Sequence, residues 1–338
     1  MKKRRPRLSG RKRLFVLAAA VLFIFAGVYL AMDLIVGDME RADNPEMTYR
    51  ESDYVFKDLT EIVLGGEVHH LRTGLTSILL MGVDNESEGK PMFYRGAGQA
   101  DFLRLLVLDH TQKKVWQLPI NRNTMTPVTI LSEVGKPTGK KVYQICLAFN
   151  WGDGGTLSAQ HTRDAVSELL LNVPVHFYIG SGMSGIPVLN DACGGVKVTF
   201  AEDLTTLDPA FRKGETVLLT GQQARAFVRA RKSVGGGTNE ERMARQEQYL
   251  TSLQSALTDR IRKDKPFIGN LYDKMEKHLI TDISRARLIN ELWSARTYEI
   301  MPPVAIDGVN GEDESGVAEF YADHDSILHA VLEIFCVD

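Results

Sequence analysis

Thr76-Ser-Ile-Leu-Leu-Met-Gly-Val83 is the stretch on which the architecture turns. No charge interrupts it, so a strand built from it needs cover on both faces. Two more strand-like runs follow, Phe102 to Asp109 and Lys114 to Ile120, with Thr111-Gln112 as the turn between them. Thr156 to Leu171 places Ala159, Ala165, Val166, Leu169 and Leu170 on or near one helical face and has to end before Pro174. Val175 to Ile179 and Val196 to Phe200 are short β-branched runs flanked by Gly and Pro, hence strands. Helices alternating with strands predict an α/β sandwich around a central sheet rather than separate all-α and all-β halves.

Further along, Thr220-Gly-Gln-Gln223 reads as a capping box that opens a helix running to about Lys232. Ser233-Val-Gly-Gly-Gly-Thr238 is then a loop, and Asn239 caps a long helix from Glu240 to about Lys263. The pattern after Pro266 is helical, Met301-Pro-Pro303 breaks it, and Ser326 to Phe335 forms a final helix.

In the other direction, residues 37–74 are polar and aperiodic, with Asn44-Pro45 and Gly65-Gly66 as breakers, and read as a spacer. Before them, Leu14 to Met32 carries no charge, and Leu34 to Val36 prolongs the apolar stretch past Asp33. That is long enough to cross a hydrocarbon core of about 30 Å as a helix. Residues 1–13 hold Lys2, Lys3, Arg4, Arg5, Arg7, Arg11, Lys12 and Arg13 and no acid. The asymmetry predicts a single-pass membrane protein with a cytoplasmic tail (1–13), a span (14–36), a spacer (37–74) and an extracytoplasmic domain (75–338). A cleaved signal peptide is the alternative; it would have a shorter apolar region and a small-residue cleavage site, for which only Ala31 is placed.

The chain carries a formal charge of −3, to which the tail contributes +8, leaving −11 for the rest. An acidic remainder argues against nucleic acid as a partner. Cys146, Cys193 and Cys336 are too few and too scattered for a disulfide framework or a metal site, and read as buried small apolar residues. There is no Gly-x-Ser-x-Gly elbow, no His-Glu-x-x-His and no Gly-Lys-Thr of the Walker type. His69-His70 falls in the spacer without clustered partners.

Two regions put charge where folding alone does not ask for it. Asp84 ends the first apolar strand and Asp101 begins the next, across a loop that contains Arg95. On neighbouring strands both carboxylates would leave the same sheet edge, a pairing suited to Mg²⁺ with substrate phosphate completing its shell. Read singly, Asp84-Asn85 is an ordinary turn. The second region is Arg225, Arg229 and Arg231, the glycine loop, then Arg242 and Arg245. Guanidinium groups around a glycine loop that opens onto a helix N-terminus form a phosphate grip; a solvated basic face is the plain alternative, and Arg122 in its Asn121-Arg-Asn123 turn shares it.

The ordered blocks Ile78-Leu-Leu-Met-Gly-Val-Asp84, Gln99-Ala-Asp101, Ile120-Asn-Arg-Asn-Thr124, Leu189-Asn-Asp-Ala-Cys-Gly-Gly-Val196, Leu219 to Lys232 and Arg242-Met-Ala-Arg-Gln246 resemble the LytR-CpsA-Psr family of cell-wall ligases over about Ser77 to Leu257. The resemblance implies a central mixed β-sheet sandwiched by helices. It also implies Mg²⁺-dependent transfer of a glycopolymer, such as teichoic acid or capsule polysaccharide, from an undecaprenyl diphosphate carrier to peptidoglycan on the outer face of the membrane. Carried over, Asp84 and Asp101 hold Mg²⁺. Arg122, Arg229, Arg231 and Arg242 bind the diphosphate with support from Gln246, and Arg95 and Arg245 join that set. Asp101, Arg122, Arg229 and Arg231 form the implied catalytic group. Two departures stand out. Gly98-Gln-Ala-Asp101 replaces the family's Gly-Arg-Ser-Asp, with Arg95 as candidate substitute, and Asn121-Arg-Asn-Thr124 replaces Pro-Arg-Asp-Thr. A lipid diphosphate hydrolase and a non-catalytic lipid-binding or regulatory protein are the rival readings. On the ligase reading, alanine at Arg122 or Arg229 is expected to abolish transfer and leave folding intact.

Overall fold

The computed structural model describes residues 54–58, 61–64, 67–84, 96–230 and 239–337. The basic tail, the apolar span, Arg95, Arg231 and the triple-glycine loop lie outside the described residues, as do the side chains of Arg242 and Gln246. No described helix is long and apolar enough to cross a membrane.

In chain order the strands and helices begin with β1 (Tyr54–Asp58), β2 (Glu61–Leu64), β3 (Glu67–Leu71), β4 (Leu75–Asp84), β5 (Gln99–Asp109), β6 (Lys114–Ile120), β7 (Met125–Leu131) and β8 (Pro137–Gln144). After a 3-10 turn at Ile145–Ala148 come α1 (Thr156–Leu169), β9 (Phe177–Gly182), α2 (Gly185–Ala192), β10 (Val196–Thr199) and β11 (Thr216–Leu219). The chain continues through α3 (Gly221–Arg229), α4 (Asn239–Lys263), α5 (Lys265–Met275), β12 (Leu279–Thr281) and α6 (Arg285–Ala295). It closes with β13 (Glu299–Ile300), β14 (Gly308–Glu312), β15 (Ala318–Ala322), α7 (His324–Phe335) and β16 (Cys336–Val337).

The organising sheet has the order β12-β9-β4-β5-β6-β13. It is mixed, since β4 runs parallel to β9 and antiparallel to β5. Every residue from Thr76 to Val83 is buried, as the apolar run requires of a strand covered on both sides. Side chains alternate between two cores. Ile78, Leu80, Phe102 and Leu106 face a layer built from α2 to α6, where Phe227 and Tyr249 are buried. Leu79, Met81, Leu103 and Leu105 face α1, α7 and the 3-10 turn. Three layers result, a mixed sheet between helices.

The spacer reading is corrected in its second half. There β1, β2 and β3 form an antiparallel sheet to which the C-terminal β16 adds the fourth strand. His70 belongs to it, with Nδ1 3.5 Å from Glu61. Boundaries shift elsewhere too. The strand expected at Val175 to Ile179 runs Phe177–Gly182, because the His176 amide donates to Ser77 Oγ at 3.0 Å instead of to a strand. The helix begun by the Thr220–Gln223 capping box ends at Arg229 rather than Lys232. Helix α1 stops at Leu169, after which Leu171 and Asn172 take left-handed backbone angles, with φ of 59° and 61°. All three cysteines are buried and free, as read.

Candidate functional site

The site begins as a register irregularity. Along β4 and β5 the pairs run Gly82 with Phe102 but Val83 with Ala100, so Asp101 is an extra residue on β5. A bulge of this kind re-aims one side chain out of the alternation of its strand. Asp84 pairs with Gln99 one step further on, so both acids do leave neighbouring strands at the same end. Asp84 is exposed, whereas the side chain of Asp101 is only 3% accessible.

Arg122 meets Asp101 there. Its turn is built by Asn121, whose Oδ1 accepts from the Asn123 amide at 2.9 Å and whose carbonyl accepts from the Thr124 amide at 3.0 Å. From that turn Arg122 Nη1 lies 2.6 Å from Asp101 Oδ1, and Nη2 donates to Gln99 Oε1 at 2.6 Å. Gln99, at the position where the resemblance led us to expect an arginine, thus orients one. The guanidinium is gripped from one side while the arginine side chain stays 24% accessible. Two charge-assisted bonds fix a cation that still has donors to offer.

Behind it stands Cys146, a neighbour that sequence reasoning missed, with Sγ 3.8 Å from Arg122 Nη2. Burial pushes this thiol up to about 11 against the opposing pull of Arg122. It therefore remains a neutral thiol, and nothing in its surroundings makes it a nucleophile. No sequence signal pointed to Cys146; the link comes from its amide, which donates to the Arg122 carbonyl at 3.1 Å.

Helix α3 presents the second group. Gly221, Ala224, Phe227 and Val228 form its buried face, over the same core as Phe102, which follows Asp101 in sequence. Arg225 and Arg229, four apart, share another face, and Arg229 is exposed in the last turn, where a cation suits the helix dipole. No described contact joins Arg229 to Arg122.

Arg245 has a different place from the one expected. It is 3% exposed, with Nη1 2.6 Å from Glu202 Oε1 and Nη2 donating to the Ala230 carbonyl at 3.1 Å. That carbonyl belongs to the residue capping the C-terminus of α3. The reading of Arg245 as a diphosphate ligand is corrected to that of a clamp, which ties the end of α3 to α4 on either side of residues 231–238. Glu202 was missed for want of any local pattern. A further arginine, Arg104, stands on the face of β5 between Phe102 and Leu106, with Nη1 donating to Gln117 Oε1 at 3.1 Å.

Chemically, the arrangement offers one braced cation at a sheet end beside an exposed carboxylate, and a helix terminus that carries further cations. The LytR_cpsA_psr family profile matches residues 47–329. A polyisoprenyl-teichoic acid–peptidoglycan teichoic acid transferase, TagU, of Halalkalibacterium halodurans is 31% identical over 223 residues, which are 65% of this chain and 64% of that protein. The match thus spans less than two thirds of the relative's length. Among solved structures, protein gbs0355 of Streptococcus agalactiae aligns with a TM-score of 0.57 and 20% identity over 78% of this chain and 87% of that one. TagV of B. subtilis aligns at 0.53 and 21%, over 78% and 97% respectively. These two likenesses bear on the fold alone. With the profile spanning the sheet, the bulge and both arginine groups, the chain belongs to the LytR_cpsA_psr family.

Proposed function

We propose that this chain transfers a glycopolymer from a polyprenyl diphosphate carrier to peptidoglycan, on the outer face of a membrane that its N-terminal segment spans. The observation that carries the reading is the Arg122 guanidinium, braced by Asp101 and Gln99 at 2.6 Å each and still partly open to a ligand. The relative TagU, a teichoic acid transferase acting on peptidoglycan, supplies the class of polymer and acceptor.

In the reaction, an acceptor sugar hydroxyl attacks the phosphorus next to the polymer. The new O–P bond forms as the bond to the bridging oxygen breaks, and polyprenyl phosphate leaves with that oxygen. Negative charge grows on the phosphoryl oxygens, and preorganised donors are the efficient means of stabilising it. Arg122 supplies them from a fixed position; Arg229, Arg231 and Arg242 supply more from the α3–α4 junction, with Gln246 in support. Arg95 belongs to the loop between the two acids. Asp84, exposed at the strand end, is the group placed to take the acceptor's proton, since Asp101 is engaged by Arg122.

Mg²⁺ fits the donor set at this edge. Asp84 and Asp101, which leave neighbouring strands at the same end, would hold it, and a metal-bound Asp84 would be the weaker base for the acceptor's proton. One or two carboxylates plus substrate phosphate is the usual Mg²⁺ arrangement. When bound, the ion would neutralise charge on the diphosphate.

The test uses the full chain in membranes, lipid-linked polymer and peptidoglycan. Arg122→Lys, which keeps the charge near Asp101 but not the paired donors, is expected to lower the transfer rate by about 10²–10³-fold, the scale of losing an oxyanion donor. Transfer within a few-fold of the parent in both Arg122→Lys and Arg229→Ala would overturn the site. Release of polymer phosphate to water without acceptor would instead identify a hydrolase, and lipid binding with no turnover a non-catalytic protein.

A further inference from the structure

Loops run over protein surfaces because water can satisfy their backbone polar groups. The turn that carries Arg122 gives its carbonyls to the protein instead. Those of Arg122 and Thr124 accept from the amides of Cys146 at 3.1 Å and Ile145 at 2.8 Å, both in the 3-10 turn after β8. The Asn123 carbonyl between them accepts from the Phe320 amide of β15 at 2.9 Å. Thr124 and Phe320 also form an isolated parallel bridge. Two elements remote in sequence thus fix the backbone from which the guanidinium extends.

Gln144, the last residue of β8, joins the two. Its Nε2 carries two hydrogens and reaches both Asn123 Oδ1, at 3.4 Å, and the Ala318 carbonyl of β15. Its Oε1 lies 4.0 Å from Cys146 Sγ, and that sulfur lies 3.8 Å from Arg122 Nη2. One amide therefore touches the root of Arg122 through Asn123 and its tip through the thiol. The β14–β15 hairpin gives it something firm to bear against. A lone two-stranded hairpin is marginal, but this one is moored at its base. There the Asp323 amide donates to the Asp307 carbonyl at 2.8 Å, and the Asp307 amide donates to Ser326 Oγ of α7 at 2.8 Å. Phe320 is buried and closes over Gly308, where a Cβ would lie 2.6 Å from Phe320 Cζ.

We propose that Gln144 is a positioning residue for Arg122, with the β14–β15 hairpin as the abutment it works against. The inference rests on the transferase reading, in which Arg122 stabilises the charge that grows on the phosphoryl oxygens. Such stabilisation depends on donors aimed before the reaction begins, and a long arginine side chain has much rotamer freedom to lose. Asp101 and Gln99 grip its tip, while Gln144 and Phe320 hold its root. A displaced root misaims the guanidinium, which matters most where the charge is greatest, in the transition state.

The experiment uses the full chain in membranes with lipid-linked polymer and peptidoglycan. Gln144 is half-buried, so Gln144→Leu keeps its bulk and the fold while removing its hydrogen bonds. The expected result is a kcat lowered by about 10–10²-fold, the scale of a small misplacement, with both KM values within about twofold of the parent. In an Arg122→Lys background the same substitution is expected to cost almost nothing further, because the two residues act as one unit. An unchanged kcat, a rise in KM that accounts for the loss, or an undiminished loss beside Arg122→Lys would each overturn the proposal. A second measurement needs no turnover. Hydrogen exchange in detergent should quicken at the Thr124 and Phe320 amides of Gln144→Leu and stay as in the parent along β4 and β5. Unaltered exchange at both amides overturns the proposal whether or not transfer occurs. A parent that transfers nothing would sink the transferase reading instead, and exchange would still decide whether Gln144 holds the Arg122 turn.

Discussion

Arg122 and Asp101 are bound to each other in a way that changes what a mutation there measures. Asp101 has 3% of its side chain accessible and Arg122 24%, so removing the arginine strands a buried carboxylate. Breaking a buried pair by deleting one partner costs about 3–5 kcal/mol, much of it the charge left behind. Arg122→Ala is therefore expected to lose about that much stability in urea unfolding, and adding Asp101→Ala is expected to recover part of it. The expectation from sequence, that Arg122→Ala leaves folding untouched, misses this because Asp101 reads as a solvent-facing acid until the bulge at Gly82–Val83 is seen. The carboxylates and Arg122 themselves were legible, as charges at the ends of apolar runs. Gln99 was not: its value lies in the register that sets it beside Arg122, and no one-dimensional pattern encodes register across a loop.

Among elements, the junction of α3 and α4 shows the same division. The start of α3 was legible to the residue, because Thr220 and Gln223 form their reciprocal bonds within four positions. Its end was not: Ala230 leaves the helical backbone at ψ 128°, and its carbonyl is taken by the distant Arg245, a partner no local pattern names. Arg245→Ala leaves that carbonyl and Glu202 without their partner, at an expected cost of about 2–3 kcal/mol given that Glu202 is partly exposed. Hydrogen exchange should locate the damage in the last turn of α3 and the first of α4, and Arg245→Lys should restore part of the protection. Uniform protection across both helices would show that Arg245 serves something other than the junction. The missed strands β2 and β3 teach the converse. Leu64 pairs with Glu67 across Gly65-Gly66, so the dipeptide read as a breaker separates two halves of a hairpin.

For the molecule as a whole, the end of the sheet opposite Arg122 holds a polar cluster that makes stability depend on pH. His176 Nδ1 accepts from the Ser77 amide at 3.1 Å and lies 2.6 Å from Ser77 Oγ. Burial, then the charge of Arg287, holds this imidazole below its ordinary value, against a smaller opposing effect of Glu291. Above about pH 6.5 the ring is neutral in both folded and unfolded chains. As the pH falls from there toward the depressed folded value, the unfolded chain takes up a proton that the native chain refuses, so stability declines. The expected outcome is a drop in melting temperature between pH 7 and pH 5 that is smaller in His176→Asn. An identical slope in parent and variant would assign the drop to other groups. Nearby, Glu291, 5% exposed, is met by His110 Nε2 at 2.9 Å, which fastens α6 to the end of β5, and by Arg287 Nε at 2.6 Å within its own helix.

The closing strand has a topographical consequence. Val337 pairs with His70 and Cys336 with Leu71, while Arg72 reaches back to the Cys336 carbonyl at 2.6 Å and its amide to that of Phe335 at 2.7 Å. The last strand therefore returns to the sheet made by the first described strands. Cargo fused behind that strand would thus emerge beside β3 and leave unobstructed the far end of β4 and β5, where Arg122 waits.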